Sequence, residues 1–203
     1  MLQEHFVSSQ GLRSFQHSLR AITDHKILLK SAKKRNKRYG RNSGGLALIV
    51  KPNIYLSNIN TSNFRIQCIK LLIDGKPLQC VNIYLPNERK RNIQELQTVL
   101  EELNKIMFKY PHPLIIGGDM NYDVTRKDTV YNKIIKHFLK INNLKLVWDT
   151  SKFDVKCTYL HHNKSTSVID HFAYRGKLKV IKCGVDNTNQ FGHSPIWVEI
   201  CLT

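Results

Sequence analysis

A predicted hairpin near the middle of the sequence constrains the fold more than any other feature. An apolar run over residues 64–73 leads into Asp74-Gly75, and a second apolar run over residues 78–85 stops at Pro86. Asp-Gly between two apolar runs is a strong signal of a tight hairpin turn. The sequence therefore predicts two long antiparallel strands and a core that contains a sheet.

Two helices, separated by a short strand, are predicted after this hairpin. Asn92, with Glu95 three residues later, predicts a capping box at the start of the first helix, which ends before Pro111. Its expected inward positions are Leu96, Val99, Leu100, Leu103, Ile106 and Met107. The second helix is predicted over Asp128–Ile141, with a strand over residues 113–116 between the two helices. Its expected inward positions are Val130, Ile134, Phe138 and Leu139.

The mixture of hairpins and helical crossovers indicates the fold class. Further apolar runs predict strands at residues 46–50, 168–174, 178–183 and 196–202. This pattern favours an α/β (α+β) protein of packed sheets flanked by helices over a purely parallel doubly wound fold. The chain contains no internal repeat and no linker long enough to divide it, so residues 1–203 form a single predicted domain.

The charge of the chain indicates the class of partner. Thirty-two Lys and Arg oppose 15 Asp and Glu, which gives a net charge of +17. Such a positive field attracts polyanions, of which nucleic acid is the commonest. The basic run from Lys30 to Arg41 contains no acid and predicts a solvated loop suited to phosphate contact or nuclear import. Alternatively, the net charge reflects a lysine- and asparagine-rich proteome. The basic run is then a simple exposed loop with no binding role.

The remaining composition bears on the compartment. The five cysteines are widely spread and form no C-x-x-C pair: Cys68, Cys80, Cys157, Cys183 and Cys201. This favours buried reduced thiols over a disulfide framework or a zinc site. The sequence contains no run of about 18 apolar residues, the length that would predict a membrane span. The N-terminus lacks the apolar region of a signal peptide. We expect an intracellular protein, and the basic run permits a nuclear location. We expect no small-molecule cofactor, and the sequence gives no indication of the oligomeric state.

Two glycines and two polar residues end the strand predicted at residues 113–116. Gly117-Gly118 permits a sharp turn and the close approach of a ligand to the backbone. Asp119 and Asn121 follow two positions apart, so that strand alternation directs them to the same side. A carboxylate and an amide there suit the activation of a water beside a phosphate, although a simple strand-ending turn is the other explanation.

Asp170 and His193 are a second pair with chemical potential. Asp170 lies within the apolar segment Val168–Phe172, where an unpaired charge would be costly to bury. His193 precedes the last apolar strand. A carboxylate paired with this histidine would fix its tautomer and keep a protonated ring beside a phosphate. Taken alone, each residue is also explained as a polar side chain of the core that is hydrogen-bonded to its neighbours.

Taken in order, the motifs resemble those of the endonuclease/exonuclease/phosphatase family, and most of all the endonuclease domains of non-LTR (LINE-type) retrotransposons. They are L-Q-E-H from Leu2, G-G-L-A-L-I-V from Gly44, N-I-Y-L-P from Asn82, G-D-M-N from Gly118, S-V-I-D from Ser167 and H-S-P from His193. The resemblance covers essentially the whole chain. It implies a DNase-I-like four-layer sandwich of two packed mixed β-sheets flanked by helices, and hydrolysis of DNA phosphodiester bonds.

The resemblance further implies roles for two acidic residues. Glu4 matches a ligand of Mg²⁺ or Mn²⁺, hard cations that take carboxylates, waters and a substrate phosphate. Asp119 matches the residue that orients or deprotonates the attacking water.

Four other residues are also matched by the resemblance. Asn121 and Tyr84 match residues that hold the phosphate, and His193 matches the histidine that stabilises charge on the phosphoryl oxygens. Asp170 matches the orienting partner of that histidine.

Two departures from the family pattern predict reduced activity. The family begins with a strand that carries a metal-site Asn, followed by a helix, before L-Q-E, whereas this sequence opens at Met1. We therefore expect a domain that lacks its N-terminal strand and helix, with a gap or an unpaired edge in one sheet. The family's final motif is usually S-D-H, and Gly192 stands in place of its Asp.

Two other functions compete with the nuclease. A non-catalytic, basic nucleic-acid-binding remnant of the same fold would keep the charge of +17 without the chemistry. A phosphoinositide phosphatase or a sphingomyelinase would belong to another branch of the family. The strongly basic balance and the absence of membrane features argue against these lipid substrates.

Overall fold

The computed structural model describes residues 1–34, 42–124, 126, 129–149, 155–186 and 192–203. The helices in these ranges are α1 (Leu12–Arg20), α2 (Ile93–Lys109) and α3 (Val130–Ile141), with 3₁₀ turns at Lys90–Asn92 and Val147–Asp149. The first seven strands are β1 (Leu2–Gln3), β2 (Lys26–Lys30), β3 (Leu46–Val50), β4 (Tyr55–Ile59), β5 (Ile66–Ile73), β6 (Lys76–Tyr84) and β7 (Leu114–Asp119). The other six are β8 (Lys145–Leu146), β9 (Tyr159–Leu160), β10 (Thr166–Ser167), β11 (Asp170–Arg175), β12 (Leu178–Val185) and β13 (Ile196–Leu202).

A six-stranded mixed sheet in the order β4-β5-β6-β7-β11-β8 forms the centre of the molecule. The predicted hairpin is confirmed as β5 and β6, which turn at Asp74 and Gly75, both with positive φ. The β6–β7 pair is parallel, since α2 crosses over between these two strands. The other neighbours in this sheet are antiparallel. The parallel pair brings the carboxyl ends of β6 and β7 to the same edge.

Helices α2 and α3 cover one face of the central sheet. The six inward positions predicted for α2 are confirmed, because they are its buried residues. Helix α3 begins after Thr129, whose side chain accepts a hydrogen bond from the backbone N–H of Asn132. Its buried residues are Tyr131, Asn132, Ile135, Phe138 and Leu139. The prediction that Val130 faces inward is wrong, since Val130 is 66% exposed. Ile134 is partly buried. Asp128 lies outside the described residues.

The predicted capping box at the start of α2 is also wrong. Asn92 is the N-cap, but its side chain makes no capping hydrogen bond and instead donates to the backbone oxygen of Asn87. The Glu95 carboxylate does not reach back to the helix terminus. It accepts a hydrogen bond from Nε of Arg65 at 2.9 Å, so a tertiary ion pair replaces the local cap.

A second layer of strands covers the other face of the central sheet. It consists of a three-stranded sheet, β1-β3-β2, and a separate two-stranded sheet, β12-β13. Both are antiparallel rather than mixed. Helix α1 packs on β2 and forms an outer layer. The predicted packed sheets flanked by helices are thus confirmed. Within the described residues, β1 pairs only with β3, and β13 pairs only with β12.

Other sequence expectations have mixed outcomes. The five cysteines are free, and Cys68 and Cys80 are buried. Of the basic run, residues 35–41 lie outside the described residues. In the described part of the chain, no helix combines the length and apolar character needed to cross a membrane.

Candidate active site

The register of the central sheet brings three of the predicted site residues into one row. Asp119, the last residue of β7, pairs with Tyr84 at the end of β6 and with Asp170 at the start of β11. Arg65 extends the row, since its backbone oxygen accepts a hydrogen bond from the N–H of Tyr84. These four side chains therefore stand side by side along one edge of the sheet.

Gly118 lets β6 and β7 lie close together at this edge. Its φ is +144°, and a Cβ atom at this position would lie 2.0 Å from the backbone oxygen of Ile83 on β6. Any side chain would therefore push β6 and β7 apart. The expected sharp turn is wrong, because Gly117 and Gly118 lie within β7, and the group close to Gly118 is the backbone of β6. The close approach of a ligand stays a prediction.

Asn121 holds the carboxylate of Asp119. Its backbone N–H donates to Oδ1 of Asp119 at 2.8 Å, and its side-chain Nδ2 donates to Oδ2 at 3.3 Å. The same Nδ2 donates to the backbone oxygen of Leu85 at 2.9 Å. The amide hydrogens of Asn121 are thus engaged within the protein, which leaves its Oδ1 available to a ligand. The role of holding a phosphate stays a prediction.

Asp170 and His193 form the predicted pair. Nδ1 of His193 lies 3.0 Å from Oδ2 of Asp170, so Nε2 is the ring nitrogen left for a substrate. The backbone N–H of Asp170 donates to Oγ1 of the buried Thr158. The ring of Tyr159 lies 4.4 Å from that of His193. A bonded backbone and a packed aromatic ring therefore fix the geometry of this pair.

Glu4 reaches the same region from the second layer. It follows β1 with a positive φ of 57° and is half-buried. Burial, followed by the negative charge of the nearby Glu4 carboxylate, raises the pKa of Tyr84 above its usual range. Tyr84 is therefore a neutral hydrogen-bonding group at neutral pH.

Negative charge accumulates where these residues meet. Burial, followed by the nearby Asp170 carboxylate, raises the pKa of Asp119 to about 8, against the opposing effect of His193. Burial acts to lower the pKa of His193, but the hydrogen bond and charge of Asp170, with the charges of Asp119 and Glu4, outweigh it and raise that pKa. The structure thus brings the predicted residues together around one point.

The donor groups at this point fit a divalent cation. A carboxylate oxygen of Asp119, one of Asp170 and a ring nitrogen of His193 all lie within 4.8 Å of one another. Carboxylates suit Mg²⁺ and Mn²⁺, and imidazole suits transition metals. Burial, followed by the charge of Asp170, raises the pKa of Asp119, and a cation at this point would oppose both effects. Glu4 faces the same point, and its predicted role as a ligand stays a prediction.

Gly192 differs from a simple loss of a carboxylate. Its φ is +89°, and an added Cβ would lie 2.9 Å from a ring carbon of Tyr159. The backbone oxygen of Gly192 also accepts a hydrogen bond from the N–H of Leu160. The loop before His193 is therefore built around a glycine, and a side chain here would disturb the ring that packs on the histidine.

Sequence reasoning missed three residues that support the site. They are Arg65, Thr158 and Tyr159. Thr158 and Tyr159 are adjacent in a short segment without strong periodicity, and nothing local to them signals contact with Asp170 or His193. The only signal for Arg65 was its position at the start of the predicted hairpin, beside Phe64.

Comparison with known proteins agrees with this geometry at the level of the fold. No protein-family model matches the sequence, and neither does the sequence of any curated protein. Solved structures do match. The human Nocturnin catalytic domain with bound sulfate aligns with a TM-score of 0.70 and 18% identity, over 100% of this chain and 80% of that one.

Two further solved structures align with the chain at a similar level. The endonuclease domain of TRAS1, a telomere-specific non-LTR retrotransposon, aligns with a TM-score of 0.66 and 14% identity, over 88% of this chain and 79% of that one. A mannosyl-6-phosphatase of Bacteroides thetaiotaomicron aligns with a TM-score of 0.63 and 14% identity, over 94% and 82%. The predicted fold, that of endonuclease/exonuclease/phosphatase proteins, is confirmed. At these identities the likeness does not choose between a nuclease and a phosphatase.

Proposed function

We propose that this chain hydrolyses phosphodiester bonds in DNA with the help of Mg²⁺ or Mn²⁺, as a retrotransposon-type endonuclease. The observation that carries the proposal is the meeting of Asp119, Asp170 and His193 within 4.8 Å, with Glu4 and Tyr84 beside them. Paired acids, a histidine and a tyrosine at one open edge of a sheet match the needs of phosphoryl chemistry.

Each residue has a defined task in this reaction. Asp119, held by Asn121, orients the attacking water and accepts its proton. His193 carries a raised pKa because of Asp170, so it presents a protonated ring to the phosphoryl oxygens. Tyr84 keeps its proton and donates a hydrogen bond to the same phosphate. A divalent cation held by Glu4 and the neighbouring carboxylates would supply positive charge to the transition state and lower the pKa of Asp119.

The charge of the protein supports a polyanionic substrate. A net charge of +17 favours nucleic acid over a neutral or singly charged small molecule. The structural likeness to the TRAS1 endonuclease domain points in the same direction. The likeness to a sugar phosphatase supplies the competing substrate class, a phosphomonoester.

Nicking of supercoiled plasmid with Mg²⁺ or Mn²⁺ tests the proposal. We expect Asp119→Asn, which keeps the size of the side chain but removes its charge, to slow nicking about 10³-fold. Asp74→Asn is the matched control, because it makes the same chemical change at an exposed turn whose positive φ also suits Asn. Equal nicking by the unaltered chain and Asp119→Asn would reveal a contaminant and contradict the proposal, as would preferential hydrolysis of a phosphomonoester.

The second candidate function is non-catalytic binding of nucleic acid. Gly192 favours it, since this position offers no carboxylate where the resembling motif has one. This candidate predicts that the chain binds DNA with a steep dependence on salt and no dependence on the divalent cation. Binding of this kind without metal-dependent nicking would decide for it.

A further inference from the structure

A basic cleft opens beside the candidate active site. It has a volume of about 550 Å³, within the range of small-ligand pockets. Glu4 and Tyr84 belong to both the cleft and the site, so the two are continuous. The cationic residues that line the cleft are Lys33, Lys34, Arg65, Arg89 and Arg91. Its acidic residues are Glu4 and Glu95, and Asn42, Asn87 and Asn92 add neutral polar groups.

Arg65 is a rigid cation at the base of this cleft. Its side chain is only 9% exposed, and its Nε donates to Glu95 at 2.9 Å. Nη1 donates to the backbone oxygen of Tyr84 at 3.2 Å. The guanidinium carbon lies 4.9 Å from the ring centre of Phe64 and 5.0 Å from that of Tyr84. Arg65 is therefore held in place in the cleft, and its ion pair neutralises the charge of Glu95.

The other cations of the cleft come from two separate segments of the chain. Lys33 is paired with Ser43 through two backbone hydrogen bonds, and its ammonium group lies over the ring of Phe64. Arg89 and Arg91 are exposed just before α2, with Arg91 in the 3₁₀ turn Lys90–Asn92. Within the described residues, none of these exposed cations takes part in an ion pair. Their charge is therefore available to a ligand.

We propose that this cleft binds a second phosphate of the substrate, one step along the strand from the phosphate that is cut. The proposal rests on the proposed nuclease function and narrows its substrate to a polynucleotide. Exposed guanidinium and ammonium groups that line one cleft bind phosphate oxygens well, and guanidinium groups do so in bidentate geometry. Since Glu4 and Tyr84 join the cleft to the site, a strand that places one phosphate at Asp119 extends directly into it.

Two substrates and two matched variants test this inference. Bis(p-nitrophenyl) phosphate contains a single phosphodiester, whereas a single-stranded oligonucleotide carries neighbouring phosphates. Arg89→Gln/Arg91→Gln removes two cleft cations. Lys105→Gln/Lys109→Gln removes the same charge from exposed positions of α2, about 15 to 20 Å along the helix from Glu95.

We expect the cleft variant to lower the ratio of kcat/KM for the oligonucleotide to that for bis(p-nitrophenyl) phosphate about tenfold, while the control keeps the ratio. Fluorescence anisotropy with a labelled oligonucleotide should also show weaker binding and a shallower salt dependence for the cleft variant alone. Equal binding by the two variants would overturn the inference, as would an equal loss on both substrates. If the unaltered chain cleaves neither substrate, the nuclease proposal fails, and the binding comparison still decides for or against the cleft.

Discussion

The two faces of the central sheet are covered in different ways. Among the described residues, one continuous core under α2 and α3 holds 23 buried apolar side chains, from Ile59 to Ala173. The described core under the second layer has eight buried side chains and ten that are only partly buried. The second layer is divided into two sheets, each with an edge strand that has a single described partner. We therefore expect the helical face to contribute more of the stability, while the second layer contributes groups that complete the site.

The two layers also supply different residues to the candidate site. Asp119 and Asp170 are on strands of the central sheet, backed by the closed core. Glu4 comes from the edge of the second layer, and His193 comes from the loop that leads into β13. The site thus lies where a well-packed region meets a less tightly packed one, and substitutions should affect the two regions unequally.

The largest effect on stability is expected under the helices. Leu103 is 1% exposed within the helical core, and Leu103→Ala should lower the free energy of unfolding by about 3 kcal/mol because it leaves a cavity. Phe108→Ala, on the same helix but 90% exposed, should change it by less than about 0.5 kcal/mol. Urea unfolding measures both. A small loss for Leu103→Ala would contradict the assignment of stability to this face.

A smaller effect is expected where the two layers are joined. Asn82 on β6 is fully buried, and its Nδ2 donates to the backbone oxygens of Leu2 and Ala47 at 3.0 and 3.1 Å. Asn82→Ala should cost about 2 kcal/mol because it leaves buried oxygens unpaired. It should also reduce the rise in Tm caused by Mn²⁺, since β1 leads directly to Glu4.

Asn58→Ala is the control for this prediction. It makes the same truncation at an exposed position of β4 and should change neither the stability nor the effect of Mn²⁺. An unaltered rise in Tm in Asn82→Ala would show that Glu4 keeps its position without this link.

A loss of about 1 kcal/mol is expected when a side chain is added beside His193. Gly192→Asp combines a left-handed backbone with a contact at 2.9 Å to Tyr159. Gly75→Asp separates these causes, because Gly75 has a similar φ of +75° and nothing lies within 4 Å of an added Cβ. Thermal unfolding compares the two, and Gly192→Asp should lose more. Faster plasmid nicking by Gly192→Asp without loss of stability would show instead that the glycine is a simple deletion of a carboxylate.

Sequence patterns predicted the elements whose periodicity is strong and local. The hairpin of β5 and β6, the six inward positions of α2 and the bounds of β13 follow from side-chain spacing alone. The prediction for α3 placed Val130 inward where the buried residue is Tyr131, because a short pattern does not fix the helical phase. Helix α1 was not predicted, and it has no buried residue to create a pattern.

The candidate site was predicted unevenly for a related reason. Asp119, Asp170 and His193 stand beside apolar strands, where an ionisable residue is conspicuous in the sequence. Their supporting contacts depend on tertiary structure. Thr158 meets the backbone of Asp170, and Arg65 meets Tyr84, only after neighbouring strands have paired. No local signal encodes such contacts, so the resemblance to a family supplied the roles, and the register of β6, β7 and β11 supplied the row.

The smallest effect is expected in the core beneath β13. Val198 is partly buried there, and Val198→Ala should lower the free energy of unfolding by about 1 kcal/mol or less, since its methyl groups are only partly removed from water. The matched change in the helical core is Val99→Ala, at a fully buried valine of α2, which should cost clearly more. Urea unfolding of the two variants compares the faces with the same deleted atoms. Equal losses would mean that the divided layer is packed as tightly as the helical one, and the unequal roles of the two faces would no longer hold.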